Sequence, residues 1–417
     1  MGCSETASPF RTRCRIQPGV PMTWRENQPF ENLLVLCAAN NYDGIKLADQ
    51  HLAEHLSKLI PVLYVDPPLS PLTGLRNPDL VRSLTGPRIR MLAPGLARLT
   101  PVVQPFPTRK GMAGLTTALT RSYVRRAASR LGREIQAVLS AWPQYPIFGS
   151  CGERVSVYWA QDDFVGGAEL MGLNTHQVEL RERRIAADAS FVIAANPLVA
   201  ETWRSRGRDS VLIPFGVDLE AYNTVDRAPA PADVHLPGPI VGVIGQINHR
   251  TDLRLLEAIV ERGRSLLLVG PRDPAFEPQR FDALLRRDNV SWVGPKPFGS
   301  LPGYLRMIDV GLVPYVDSAF NRGSFPLKTL EYLASGRGVV ATDLPAIRWL
   351  GTDMIAVASE PGPFADLVDR LLGEGRSGAI MARRRAFAAQ HSWANCAASI
   401  YDAICGRKVA PTGSGRA

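Results

Sequence analysis

Two adjacent acids, Asp162 and Asp163, stand just past the apolar run VSVYW at 155–159. Carboxylates at the end of a buried strand can cap the next helix or share a metal ion. In the other half of the chain, the stretch SFPLKTLEYLASGRGVVATDLPAI at 324–347 places Lys328 and Glu331 three residues apart, on one face of a helix. Ser324 and Phe325 open that stretch. The start of such a helix attracts phosphate through free backbone N–H groups, and a nearby carboxylate can accept from ribose hydroxyls. The same spacing also fits a surface ion pair worth roughly 0.2–0.5 kcal/mol. A third candidate, GVIGQI at 242–247, has glycines that let the backbone approach an anion, or that simply make a tight turn out of a strand.

Other residue types offer less. The six histidines form no triad and no HExxH pattern, and His51 and His55, four apart, read as packing or surface groups. The six cysteines are scattered without CxxC pairs, which argues against zinc and against a disulfide framework and favours a reducing cytoplasm. The first residues, MGCSETASPFRTRCR, lack the apolar middle of a secretory leader, and no run approaches the roughly 20 apolar residues of a membrane span. A net charge of +9 favours acidic partners: nucleic acid, anionic lipid or a nucleotide diphosphate. The basic residues lack the interleaved aromatics of single-strand binders, so nucleic acid is not expected.

These groups need elements to hold them. At 417 residues, 45% hydrophobic and 21% charged, the chain is expected to be globular with two domains. Apolar runs bounded by Gly, Pro or charge predict strands at 33–40, 62–65, 88–92, 155–159 and 191–195, with a helix over 47–59 after the polar turn that contains Asp43 and Gly44. A second series follows at 240–244, 266–269, 290–293, 310–313 and 339–341. Alternation with helical patterns implies α/β architecture, two doubly wound parallel sheets. The division is a tail at 1–30, a first domain at 31–222, a linker at 223–239, a second domain at 240–390 and a terminal helix and tail at 391–417. Open parallel sheets bind ligands at the carboxyl ends of their strands, so the cleft between the domains is the expected site.

Between 109 and 134 the chain carries Arg109, Lys110, Arg121, Arg125, Arg126, Arg130 and Arg133 against the single acid Glu134. Leu119, Tyr123, Ala127, Leu131 and Ile135 recur every four residues, which predicts a helix with an apolar face flanked by arginines. Such a helix can lie on anionic lipid or pack on the core with its arginines solvated.

The blocks DVGLVP at 309–314, PLK at 326–328, EYLASG at 331–336 and VVAT at 339–342 resemble glycosyltransferases of the GT-B fold. The likeness is to the large retaining family four and its teichuronic-acid-biosynthesis-like branch, and it runs from about 33 to 393. It implies two Rossmann-like domains facing across a cleft and transfer of a sugar from a nucleotide diphosphate sugar to a glycan or lipid-linked acceptor of the cell envelope. It implies donor binding by Glu331 on the ribose, by Gly245 and Gln246 under the pyrophosphate with Arg250 or Asn248 nearby, by Gly294 and Lys296 beside the base, and by Ser324, Phe325 and Lys328. Asp162 and Asp163 would carry the catalytic acids, and Asp43 and Gly44 would line the acceptor side. No metal and no cofactor are implied. The protein would be cytoplasmic, with peripheral contact at the inner face of an anionic membrane. Gly323 stands where the wider family has a second glutamate. Rival expectations are a nucleotide-sugar epimerase of the same fold and a catalytically silent sugar-nucleotide or glycan-binding protein.

Overall fold

The computed structural model describes residues 29–76, 80–107, 109, 111–145 and 147–407. Residues 1–28 and 408–417, with Cys3 and Cys14, and also Lys110, lie outside the described residues.

The first sheet holds β1 (Phe30–Cys37), β2 (Val62–Val65), β3 (Ile89–Ala93), β4 (Leu96–Leu99), β5 (Gly132–Ser140), β6 (Val155–Ala160), β7 (Phe191–Ala194) and β8 (Ser210–Leu212). Their order is β3-β4-β2-β1-β5-β6-β7-β8, parallel except where β3 meets β4. β1 shows why the run is continuously apolar. Leu34 and Leu36 enter one core, while Leu33, Val35 and Cys37 enter another on the opposite face.

The second sheet holds β9 (Ile240–Ile244), β10 (Ser265–Val269), β11 (Val290–Trp292), β12 (Val310–Val313), β13 (Gly338–Ala341) and β14 (Ile355–Val357). It is ordered β11-β10-β9-β12-β13-β14 with parallel pairings. Its faces divide in the same way, with Leu267 and Val269 in the core shared with the first domain and Leu266 and Leu268 in a core of their own.

Several sequence expectations change. Residues 38–40 are not part of β1, because the Ala39 and Asn40 amides turn to the Asp49 carboxylate at 3.1 and 3.0 Å. β4, β5, β8 and β14 were not anticipated. The helix Ala113–Leu131 ends at the extended Gly132 (φ −130°, ψ 143°) and runs straight into β5, which takes Ile135 out of the helical stripe. The buried helix face is Thr116, Thr120, Val124, Ala127, Ala128 and Leu131, and it packs on β1 and β5. Arg121, Arg125, Arg126 and Arg130 lie exposed on the other side. The apolar face is therefore used by the core.

The linker is fixed at its start: Asp226 accepts from Arg337 at 2.7 Å and from Arg385. At the other end of the second domain the chain crosses back. Val217 N donates to His391 O at 2.8 Å and Trp393 N to Val217 O at 3.2 Å. Only glycine fits at 216, where a Cβ would sit 2.3 Å from Trp393 N. The helix Trp393–Ile404 then packs on Ala48–Leu56, and the His51 ring stacks on Trp393 at 5.5 Å. Cys37, Cys151 and Cys396 are free thiols, whereas Cys405 is disulfide-bonded, against expectation. Among the described residues no helix is long and apolar enough to cross a membrane.

Candidate active site

On the second domain, the carboxyl ends of β9, β10 and β11 turn at Gly245, Gly270 and Gly294, with φ of +145°, +142° and +72°. The turns lie side by side, since a Cβ on Gly270 would fall 1.9 Å from Gly245 O. Gly270 N donates to Gly294 O at 2.9 Å. The Gly245 amide itself is committed to Val269 O at 2.9 Å, so this glycine contributes close approach rather than a free donor. Gln246, next along, is exposed.

The helix Leu327–Ala334 starts beside this edge and is locked to it by Tyr332, whose hydroxyl accepts from Ile244 N at 2.9 Å. Lys328 lies over the Gly245 turn, with its Cε 3.7 Å from where a Cβ at 245 would be. Its Nζ donates to Glu331 Oε2 at 2.7 Å. Burial and the Glu331 carboxylate together push the Tyr222 phenol well above its ordinary value. Anion-approach turn, cation and carboxylate are thus brought together. Lys296 Nζ pairs with Asp233 at 2.6 Å and lies 5.5 Å from the Tyr304 ring.

On the first domain, Asp49 is fully buried and accepts from Ala39, from the backbone and side chain of Asn40, and from Gln161 Nε2. It ties the loop after β1 to the residue just before Asp162. A second buried group centres on Arg98, which donates to Asp66 Oδ2 at 2.7 Å and to Asp43 Oδ2 at 2.6 Å. Asp66 also accepts from Thr100 at 2.6 Å and Tyr42 N at 2.9 Å. Burial pushes the Asp66 carboxyl up despite Arg98. Burial would raise Asp43 as well, but hydrogen bonds from Arg98 and Ser83 and the charges of Arg98 and Arg90 hold it below the usual carboxylate value. The Asp43 carboxylate is occupied in shaping its loop, and exposed Gly44 forms the rim beside it.

The two halves meet at Asp162. Burial pushes its carboxyl up to about 6, Arg250 and the Ser324 hydroxyl oppose that, and Asp163 and Asp49 add to it. Arg250 comes from the second domain. Its Nε donates to Asn321 Oδ1 at 2.7 Å, and its guanidinium lies 4.9 Å from the Tyr315 ring and 4.7 Å from Phe320. Phe325 is buried against Phe215 at 6.2 Å and Trp349 at 6.4 Å, which makes it a packing anchor between domains. Asp163 Oδ1 accepts from Gly166 N at 2.8 Å, so it organises its own turn. A Cβ at 323 would fall 2.4 Å from Asp163 Cβ, which is the physical reason that Gly323 carries no side chain here.

Among the described residues no cluster of three His, Cys, Asp or Glu is placed to hold a metal ion. A separate cavity of about 430 Å³ opens between Trp349–Met354 and Arg383–His391 and is lined by none of the predicted site residues. Sequence reasoning missed Asp49, Asp66, Arg98 and Asn321. Their one signal is a polar residue within or beside an apolar stretch, which most surface residues share.

Residues 238–374 match the family described as "Glycosyl transferases group 1". The chain is 31% identical over 197 residues to a Bacillus subtilis protein named as the teichuronic acid biosynthesis glycosyltransferase TuaH, covering 46% of this chain and 49% of that one. It is 31% identical over 252 residues to the D-inositol 3-phosphate glycosyltransferase of Nocardia farcinica, covering 54% of each. The chain thus spans about half the length of the curated relatives it matches. Similar solved structures include the sucrose-phosphate synthase of Thermosynechococcus elongatus, at TM-score 0.68 and 16% identity over 89% of this chain and 98% of that one. Another is HepE of Anabaena in complex with UDP and glucose, at TM-score 0.61 and 14% identity over 90% of this chain and 100% of that one. The chain has the GT-B fold of these solved structures, and residues 238–374 of its second domain match the glycosyl transferase group 1 family.

Proposed function

We propose that this protein is a glycosyltransferase that moves a sugar from a nucleotide diphosphate sugar to an acceptor hydroxyl of a cell-envelope glycan or glycolipid, with retention. One observation carries the reading: Lys328 bridges the Gly245 turn and Glu331, with 2.7 Å between its Nζ and Glu331 Oε2. A diphosphate beside Lys328 and a ribose on Glu331 would use the cation and the carboxylate at once. Solved relatives of the fold hold UDP and UDP-glucose, which supports a donor of this class.

In this reading the protein supplies position and charge. Lys328 and Arg250 offset the negative charge that grows on the departing diphosphate, and the low-dielectric cleft strengthens both. The leaving phosphate oxygen takes the proton of the acceptor hydroxyl, so no dedicated base is needed. Asp162, reaching from the first domain, orients the sugar hydroxyls. The acceptor lies against the rim of Asp43 and Gly44. No metal and no cofactor take part.

The protein works at the cytoplasmic face of the membrane. Exposed Arg121, Arg125, Arg126 and Arg130 support contact with an anionic surface, and because the apolar helix face is buried that contact would be electrostatic alone. Binding to anionic vesicles should fall steeply with salt and be absent on neutral ones.

The functional test is a panel of nucleotide sugars scored by thermal stabilisation, followed by product analysis with and without acceptor. A true donor at 100 times its Kd stabilises by about 2.7 kcal/mol. A panel without any shift refutes the reading, and an epimerised donor as sole product replaces it with the epimerase.

A further inference from the structure

β7 ends at Ala194, and the chain turns at Asn196 into the helix Pro197–Ser205. Asn196 is fully buried. Its Oδ1 accepts from Leu198 N at 2.7 Å and so caps the helix. Its Nδ2 does more than a cap requires. It donates to Arg322 O at 3.1 Å and to Ser324 O at 2.7 Å, two backbone carbonyls of the second domain. Both protons of one amide are thereby spent across the cleft, on either side of Gly323.

The surrounding contacts are close enough to make this loop placement specific. A Cβ on Gly167 would fall 2.5 Å from the Phe320 ring, and one on Gly323 would fall 2.4 Å from Asp163 Cβ. The helices Pro197–Ser205 and Ala319–Gly323 pack on each other. Asn321, one residue before the latched carbonyls, holds Arg250 by its Oδ1 at 2.7 Å. Ser324, which carries one of those carbonyls, is buried with its hydroxyl near Asp162. Whatever fixes Arg322–Ser324 therefore fixes the second-domain groups that face Asp162.

We propose that Asn196 is a positioning residue whose side-chain amide latches the Arg322–Ser324 loop to the first domain, setting Ser324 and the Asn321–Arg250 pair against Asp162. Its role in transfer rests on the reading of this cleft as the donor site, while the latch itself does not. The competing account is that Asn196 merely caps its helix. Serine and aspartate cap as well as asparagine, but serine is too short to reach both carbonyls and ionised aspartate has no proton to donate. Asn196→Ser and Asn196→Asp keep the cap and remove the latch.

Hydrogen–deuterium exchange on the ligand-free full chain decides between them. The latch requires amides of 318–327 to exchange about tenfold faster or more in both variants, while those of 197–205 keep wild-type rates. Sugar transfer should fall about tenfold or more in kcat, a larger loss than that in affinity for UDP as probe, because Lys328 and Glu331 are untouched while Arg250 is displaced. Wild-type exchange at 318–327 in Asn196→Ser overturns the latch, and so does equal loss of protection in 197–205, which is the signature of a cap. A wild-type chain that binds and turns over no nucleotide sugar sinks the donor-site reading, and the exchange result still decides the latch.

Discussion

Replacing Asp162 with asparagine should make the protein more stable at neutral pH and less able to do its work. In the unfolded chain this carboxyl titrates near 3.8, and in the native cleft burial lifts it to about 6. Below the lower value both states hold the proton and the site costs nothing. As pH rises from about 4 to 6 the native state clings to a proton that the unfolded state has released, so native stability falls, and above 6 the loss is complete. Two pKa units correspond to about 3 kcal/mol. The cleft is partly open at Asp162, so solvent screening should leave about 1–2 kcal/mol of it. The neutral amide of the variant would carry no such penalty, and Arg250 would keep Asn321 and two aromatic rings as partners. Urea unfolding of wild type and Asp162→Asn from pH 4 to 8 should show a difference near zero at the acid end that grows in favour of the variant through pH 6. If the wild type is the more stable at pH 8, or if the difference is flat with pH, the burial argument is wrong. In parallel, the acid limb of kcat/KM near pH 6 should vanish from the variant's residual activity.

Glu331→Gln keeps size but weakens charge-assisted bonds, so calorimetry should find donor binding poorer by roughly 1.5–3 kcal/mol, and unchanged affinity would remove Glu331 from the ribose. Arg98→Ala leaves Asp66 buried without its cation and should cost about 3–5 kcal/mol in denaturant unfolding, whereas a loss below about 1 kcal/mol would show that the network is dispensable. Gly323→Ala forces a methyl against Asp163 and should cost about 1–3 kcal/mol, and a variant as stable as wild type would mean the two loops part easily. Activity should survive prolonged chelation and gain nothing from magnesium or manganese, and loss restored by manganese would place a metal at Asp162 and Asp163.

Much of the fold was readable because both sheets are almost wholly parallel and buried on both faces, which writes each strand as an apolar run closed by Gly, Pro or charge. β2 and β9 fell where those runs stood, at 62–65 and 240–244. β4 was missed because Leu96–Leu99 is only four residues long and carries Arg98, a charge that is buried only through its partners in loops elsewhere. β5 was missed because no turn residue separates it from the preceding helix except Gly132, which packs on Leu33. The four-residue stripe through Ile135 then lengthened the helix falsely. Within the site, Lys328 and Glu331 were legible because both lie on one helix, whose geometry is local. The state of Asp162 was not, since Arg250, Ser324 and Asp49 reach it from three other segments.

The buried acids along the edge of the first sheet differ in what supports them, and that difference bears on how the cleft works. Asp49 is held by donors from the first domain alone, and Asp66 by Arg98, Thr100 and Tyr42 of the same domain. Neither needs the second domain in order to stay as it is. Asp162 does, because Arg250 and Ser324 of that domain supply its compensation. The acid that faces the candidate donor is thus also the one whose charge is tied to the geometry of the cleft.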